Sequence, residues 1–328
     1  MNGGYWFALL ALTALVIILF RRMYREHRQK QLEKFLATRM PAEVGKLEQT
    51  TIDQGFEEMK RSKCVIAGLI RNGSKHVPRI RKQIESLGAY FSDYQFLVVE
   101  NDSKDDTRKQ LLEWKSQNPR VVVLGCGIDV PECVLNLPRT TGHDPDYSRI
   151  VKMAYLRNLY LDYIRDNELV RSYDYLIVLD LDLTGAHYID GIADSFGKLA
   201  EDSNIDAISA NGRIFDSDTL TIQRYYDPFA FRPFGMKLEF DDEDEKSEWD
   251  RKTFSFAFEI FDPLIRVTSG FGGLTIYRIP SLLQSNARYH PPSSPDKLGC
   301  EHVPFNASLS RVYVNPGMLF IVLENDLL

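Results

Sequence analysis

The chain has 328 residues, 44% hydrophobic and 26% charged, a balance that excludes disordered and collagen-like classes and leaves enough apolar side chains for one large core. Forty Lys plus Arg against forty-six Asp plus Glu give a formal charge of -6, so no global basic field attracts a nucleic-acid backbone and nucleic acid is not expected as a partner. The four cysteines, Cys64, Cys126, Cys133 and Cys300, are too few and too scattered for a disulfide framework and form no zinc knuckle, although Cys126 and Cys133 are close enough to bridge.

Residues 1–20 contain no charged side chain, and YWFALLALTALVIILF can just cross about 30 Å of hydrocarbon as a helix. This reads as a transmembrane anchor. Arg21, Arg22, Arg25, Arg28 and Lys30 follow it directly, whereas a cleaved signal peptide places its cations before the apolar stretch. The same cations set the bulk of the chain on the cytoplasmic face by the positive-inside rule. Residues 21–61 read as a basic juxtamembrane stem, broken at Pro41, and residues 62–328 as one folded domain. The acidic run Asp241 to Asp250 (DDEDEKSEWD) reads as a solvated loop.

Beyond the stem, strand-like and helix-like segments alternate. KCVIAGLIR (63–71), YQFLVVE (94–100), Val121 to Leu124 and YLIVL (175–179) are expected strands, with helices near 79–87, 107–117 and 150–164. Successive βα units of this kind predict an α/β fold with a mostly parallel sheet flanked by helices, and ligands then sit beyond the carboxyl ends of the strands.

Three polar groups stand at or past such ends. Glu100, Asn101, Asp102 and Ser103 close the second strand; their short carboxylates and amide can accept hydrogen bonds from a nucleobase or ribose, and equally they make a good turn. Asp180 and Asp182 emerge from the wholly apolar YLIVL, where both carboxylates can reach one divalent cation and through it a diphosphate. The same D-x-D-x-T pattern over Asp180, Asp182 and Thr184 also fits the nucleophile loop of haloacid-dehalogenase phosphatases, with Asp180 phosphorylated and Asp182 as acid/base. In the third group, SGFGGLTIYR (269–278), Gly272 and Gly273 permit close backbone approach to a ligand, while Glu301 and His302 offer a proton acceptor and a third metal ligand.

The order of these motifs carries a resemblance over roughly residues 63 to 310. VVENDSKDDT, then Leu156-Arg157-Asn158, VLDLD, FGG and CEH look like the GT-A (Rossmann-like) fold of nucleotide-sugar-dependent glycosyltransferases. RIVKMAYLRN, YYDPFAFR (225–232) and SGFGGLTIY are similar to segments of the cryptococcal capsule-associated α-1,3-mannosyltransferase family. The resemblance implies that Asn101 and Asp102 contact the nucleoside, Arg157 approaches the diphosphate, and Asp180 and Asp182 hold Mn2+ or Mg2+. It places Gly272 and Gly273 along the sugar site, and makes Asp227 and Glu301 the candidates for acceptor binding or base. The implied activity is transfer of a hexose, mannose by the closer resemblance, from a nucleoside diphosphate sugar to a carbohydrate or lipid-linked acceptor. The alternatives are the phosphatase and a membrane-tethered GT-A-like binding protein without turnover. Capsule mannosyltransferases imply the Golgi lumen, against the cytoplasmic side favoured by the charges.

Overall fold

A computed structural model describes residues 47–125, 147–183, 185–216, 221–254, 258–259 and 261–323, with scattered positions between 13 and 34. Most of the expected anchor, the Cys126–Cys133 pair and Thr184 lie outside the described residues. Described positions from 16 to 24 are helical and exposed; among the described residues no helix is long and apolar enough to cross a membrane.

From residue 47 on, the elements are α1 (Gln49–Arg61), β1 (Lys63–Ile70), α2 (Val77–Gly88), β2 (Asp93–Glu100), α3 (Thr107–Gln117), β3 (Val121–Leu124) and α4 (Tyr147–Asp166). After the short α5 (Glu168–Arg171) come β4 (Tyr175–Leu179), β5 (Ala186–His187), α6 (Ile189–Glu201), β6 (Ala207–Asp216), β7 (Thr221–Tyr225) and β8 (Arg232–Pro233). The last third holds α7 (Glu243–Phe254), β9 (Ile265–Ser269), β10 (Leu274–Arg278), α8 (Ile279–Ser285), α9 (His302–Ala307) and β11 (Val312–Leu323).

The strands form one sheet in the order β3-β2-β1-β4-β10-β6-β11-β9-β8, with β5 beside β11 and β7 beside β6. It is mixed, where the sequence predicts a mostly parallel one. The βα half, β3-β2-β1-β4, is parallel throughout, but β10 runs antiparallel between β4 and β6, and β9 antiparallel to β11. The cause is the SGFGG segment, which carries the chain from β9 to β10 across β6 and β11. Gly272 (φ 58°) lies so close to β6 that a Cβ would stand 2.4 Å from the Ala210 carbonyl oxygen, an approach that glycine alone tolerates.

Alternation along the strands divides the core. Tyr175, Ile177 and Leu179 of β4 face the side covered by α1, α2, α3 and α6, while Leu176 and Val178 face α4, α8 and α9. Asp180 continues the second parity and so leaves the strand on the α4 side. The acidic run is a helix rather than a loop: Glu243, Asp244 and Glu245 occupy the first turn of α7, where the helix dipole favours anions. Lys246 pairs with Asp250 at 3.0 Å and Lys252 with Glu248 at 2.6 Å.

Within the segment read as a stem, α1 is built into the body. It buries Ile52 and Met59 among the core, and Glu58 accepts the Tyr175 hydroxyl at 2.7 Å. At Gly55 the helix meets α6 backbone to backbone, and a Cβ there would fall 1.7 Å from the Ala193 carbonyl oxygen. Gly55→Ala is therefore expected to cost about 1–3 kcal/mol of stability, read from urea denaturation; an unchanged midpoint would show that α1 is not docked.

Candidate active site

The site lies beyond the carboxyl ends of β2 and β4, closed by segments from the last third of the chain. Around Asp180 the sequence supplies both its like-charged neighbour and its hydrogen-bond donor. Its backbone N–H donates to Gly273 O at 3.0 Å, fixing the strand end, and Tyr226 Oη donates to its Oδ2 at 3.0 Å. Burial, and then the charge of Asp182, push the Asp180 carboxyl up to about 7, against the opposing pull of Arg157 and Tyr226. Asp182 itself is exposed.

Asp227 sits at φ 64°, a left-handed conformation that an aspartate tolerates better than most residues, and its Oδ1 accepts from Ala230 N at 3.3 Å. Burial, then Asp180 and Glu301, hold its carboxyl well above the usual range. Glu301 is buried just before α9, and its Oε1 accepts from Arg157 Nε at 2.8 Å. The Arg157 guanidinium lies 5.5 Å from the Phe271 ring and 5.8 Å from the Tyr289 ring. Thus α4, the SGFGG crossing, β7 and α9 bring Asp180, Asp227, Glu301 and Arg157 into one electrostatic cluster.

His302 belongs to this cluster in another role than expected. It stacks on Phe271 with ring centroids 4.0 Å apart and meets Tyr289 edge-on at 5.3 Å. Burial, and then the Arg157 charge, hold it neutral, and neither ring nitrogen has a hydrogen-bond partner among the described residues. Among the described residues no group of three or more His, Cys, Asp or Glu is gathered about one cation position, so the three-ligand set of Asp180, Asp182 and His302 is not assembled. What remains is the aspartate pair. Two carboxylates whose mutual repulsion has raised one of them suit a hard divalent cation, because the cation removes that repulsion.

The first polar group divides as well. Glu100 is committed to the protein: it is buried, pairs with Arg108 at 3.1 Å and accepts Ser103 N at 2.9 Å. Asn101 is 2% exposed, yet neither its Oδ1 nor its Nδ2 has a partner among the described residues, which leaves an acceptor and a donor for a ligand. Asp102, at φ 54°, faces Lys152 Nζ at 3.4 Å. Gly272 and Gly273 make the strand crossing, and a Cβ at Gly273 would strike the Phe320 ring.

Sequence reasoning passed over Lys152 and Tyr226. Lys152 stands five residues before Arg157 on α4 and Tyr226 precedes Asp227, so both lay inside the motif strings. A lone lysine or tyrosine carries no spacing signal of its own.

Neither a protein-family model nor a curated protein sequence matches the chain. Among solved structures it is similar to a mannosyltransferase, PcManGT, from Pyrobaculum calidifontis in complex with GDP-Man and Mn2+, at 12% identity and TM-score 0.42, covering 80% of this chain and 57% of that one. It is similar too to S. aureus TarS in complex with UDP-GlcNAc, at 12% identity and TM-score 0.42 over 80% and 58% of the two chains. For GalNAc-T7 with UDP, GalNAc and Mn2+ the values are 12%, 0.47, 80% and 44%. The chain spans about half the length of these proteins.

The raised Asp180 carboxyl has a consequence for stability. The folded state holds a proton there up to pH about 7, while the unfolded chain releases it near 3.8, so stability is full below about pH 3.8 and falls as pH rises towards 7. Asp180→Asn removes that penalty. Its melting temperature should exceed the parent's at pH 7 and approach it near pH 4; an equal difference at both pH values would assign the effect to packing.

Proposed function

We propose that the chain is a metal-dependent glycosyltransferase that moves a hexose, mannose by its motif resemblance, from a nucleoside diphosphate sugar to a carbohydrate or lipid-linked acceptor. The observation that carries this reading is the cluster of Asp180, Asp227 and Glu301 around buried Arg157, set beyond the carboxyl ends of the strands like Asn101, whose side chain has no partner among the described residues. Both Lys152, which faces Asp102, and Arg157, which pairs with Glu301, come from α4. Asn101 and Asp102 would meet the nucleoside and Arg157 the diphosphate.

Asp180 and Asp182 would hold Mn2+ or Mg2+, which supplies electrostatic stabilisation of the departing diphosphate. Tyr226 orients the Asp180 carboxylate for that task. Asp227 and Glu301 are the carboxylates available to the acceptor hydroxyl, and the aromatic walls from Phe271 and Tyr289 keep water from the buried pair.

Incubation with a panel of nucleotide sugars, with nucleotide release as the signal, tests the reading. Asp180→Ala and Asp182→Ala should each lower transfer by at least about 10²-fold, and EDTA should abolish it reversibly. Transfer that persists in EDTA, or phosphate release from simple monoesters lost in Asp180→Asn, would overturn it.

We further propose that residues 1–20 anchor the chain with the catalytic body in the cytoplasm, on the support of the five cations that follow them. Of the sequons at Asn72, Asn101 and Asn306, the last two are buried, and Asn306 Nδ2 donates to Ser269 Oγ at 3.0 Å and Gly270 O at 2.8 Å. Asn72 is exposed and is the reporter to use. Protease added to sealed microsomes should digest the body, with no glycan on Asn72; a protected body carrying that glycan would place it in the lumen.

A further inference from the structure

Glu301 and Asp227 are both buried carboxylates of the cluster, but the protein uses them differently. Both oxygens of Glu301 are turned onto protein groups: Oε1 accepts Arg157 Nε at 2.8 Å, and Oε2 accepts Cys300 Sγ at 3.5 Å. The ion-pair side chains are 4% and 6% exposed. Asp227 accepts a single long backbone bond at 3.3 Å.

We propose that Glu301 is a positioning residue that acts through Arg157, and that the carboxylate on the acceptor side is Asp227. The inference rests on the nucleotide-sugar reading and deepens it. A general base needs a lone pair aimed at the hydroxyl it deprotonates. Glu301 instead takes the Nε–H of a guanidinium that also bonds the Tyr160 hydroxyl, and the remaining N–H groups are the ones left to meet a phosphate.

The surrounding side chains make the same clamp. Phe271 and Tyr289 lie 5.5 and 5.8 Å from the guanidinium, and His302 stacks on Phe271 at 4.0 Å. Tyr289 is itself fixed: Tyr160 Oη donates to its hydroxyl at 2.7 Å. Asn158 donates to its carbonyl at 2.9 Å and accepts its N–H at 3.0 Å. An arginine side chain has several rotatable bonds, and with Nε held by Glu301 beside two aromatic rings its terminal nitrogens are restricted in direction. Without Glu301 that direction is lost and the donor grip weakens.

The test compares the full chain with Glu301→Gln, Arg157→Met and the double variant, measuring UDP and GDP affinity by calorimetry and kcat and donor KM by sugar transfer. Glu301→Gln should weaken nucleotide binding by about tenfold or more and raise KM more than it lowers kcat, and it should add less than about twofold when Arg157 is already methionine. Glu301→Asp, which keeps the charge, should recover part of the loss. Glu301→Gln strands Arg157 and Arg157→Met strands Glu301, so urea midpoints of all the variants accompany the comparison, and Glu301→Asp, which keeps the ion pair, carries the test where a single variant does not fold. Normal nucleotide affinity with kcat reduced about 10²-fold in both backgrounds would make Glu301 the base and overturn the inference. Failure of the unaltered chain to bind either nucleotide would overturn the donor reading, and this inference with it.

Discussion

The Arg157–Glu301 ion pair joins residues 144 positions apart, from α4 and the start of α9, in a place where water solvates neither. Withdrawing such charges from water costs several kcal/mol per ion, and removing one partner of a buried pair typically costs about 3–5 kcal/mol, because the survivor is stranded. The two segments must therefore arrive together. Their closure brings Phe271 and Tyr289 against the guanidinium, aims α9 at the cluster, and lets Asp180 and Asp227 stand beside an existing cation.

That cation does not balance its surroundings. Asp180, Asp227 and Glu301 converge on Arg157, and burial first, then the neighbouring carboxylates, drive Asp180 and Asp227 upward. A cluster left in this condition is suited to accept positive charge, whether as protons or as a divalent ion at the aspartate pair. The Tyr226 hydroxyl, the left-handed turn at Asp227 and the glycine crossing are the local devices that keep the carboxylates close despite their repulsion.

The helix α4 is the spine of the arrangement. Its side chains stitch the segment around Tyr289 along most of its length: Arg288 pairs with Asp162 at 2.6 and 3.0 Å, Arg165 donates to Ala287 O at 2.6 Å, and Asn158 bonds the Tyr289 backbone in both directions. The Leu-Arg-Asn string is thus one residue of core, one of buried ion pair and one of tether. The same helix carries Lys152 to Asp102, so movement of α4 would disturb both ends of the site together.

The sequence by itself determined the βα half: the apolar strands, three helices and the placement of Asp180 at a strand end follow from periodicity and from side-chain alternation, which are local properties. Only the tertiary structure decided that β10 is inserted antiparallel, because glycine allows one backbone to cross another and no period in the sequence records a crossing. Only the tertiary structure showed that Glu100 is spent on Arg108, that His302 stacks on Phe271 apart from the aspartate pair, and that Glu301 faces Arg157. Those outcomes depend on which charge lies nearest after residues far apart in the chain have packed, and near a buried charge a few ångströms decide whether a carboxylate serves a cation, a proton or another side chain.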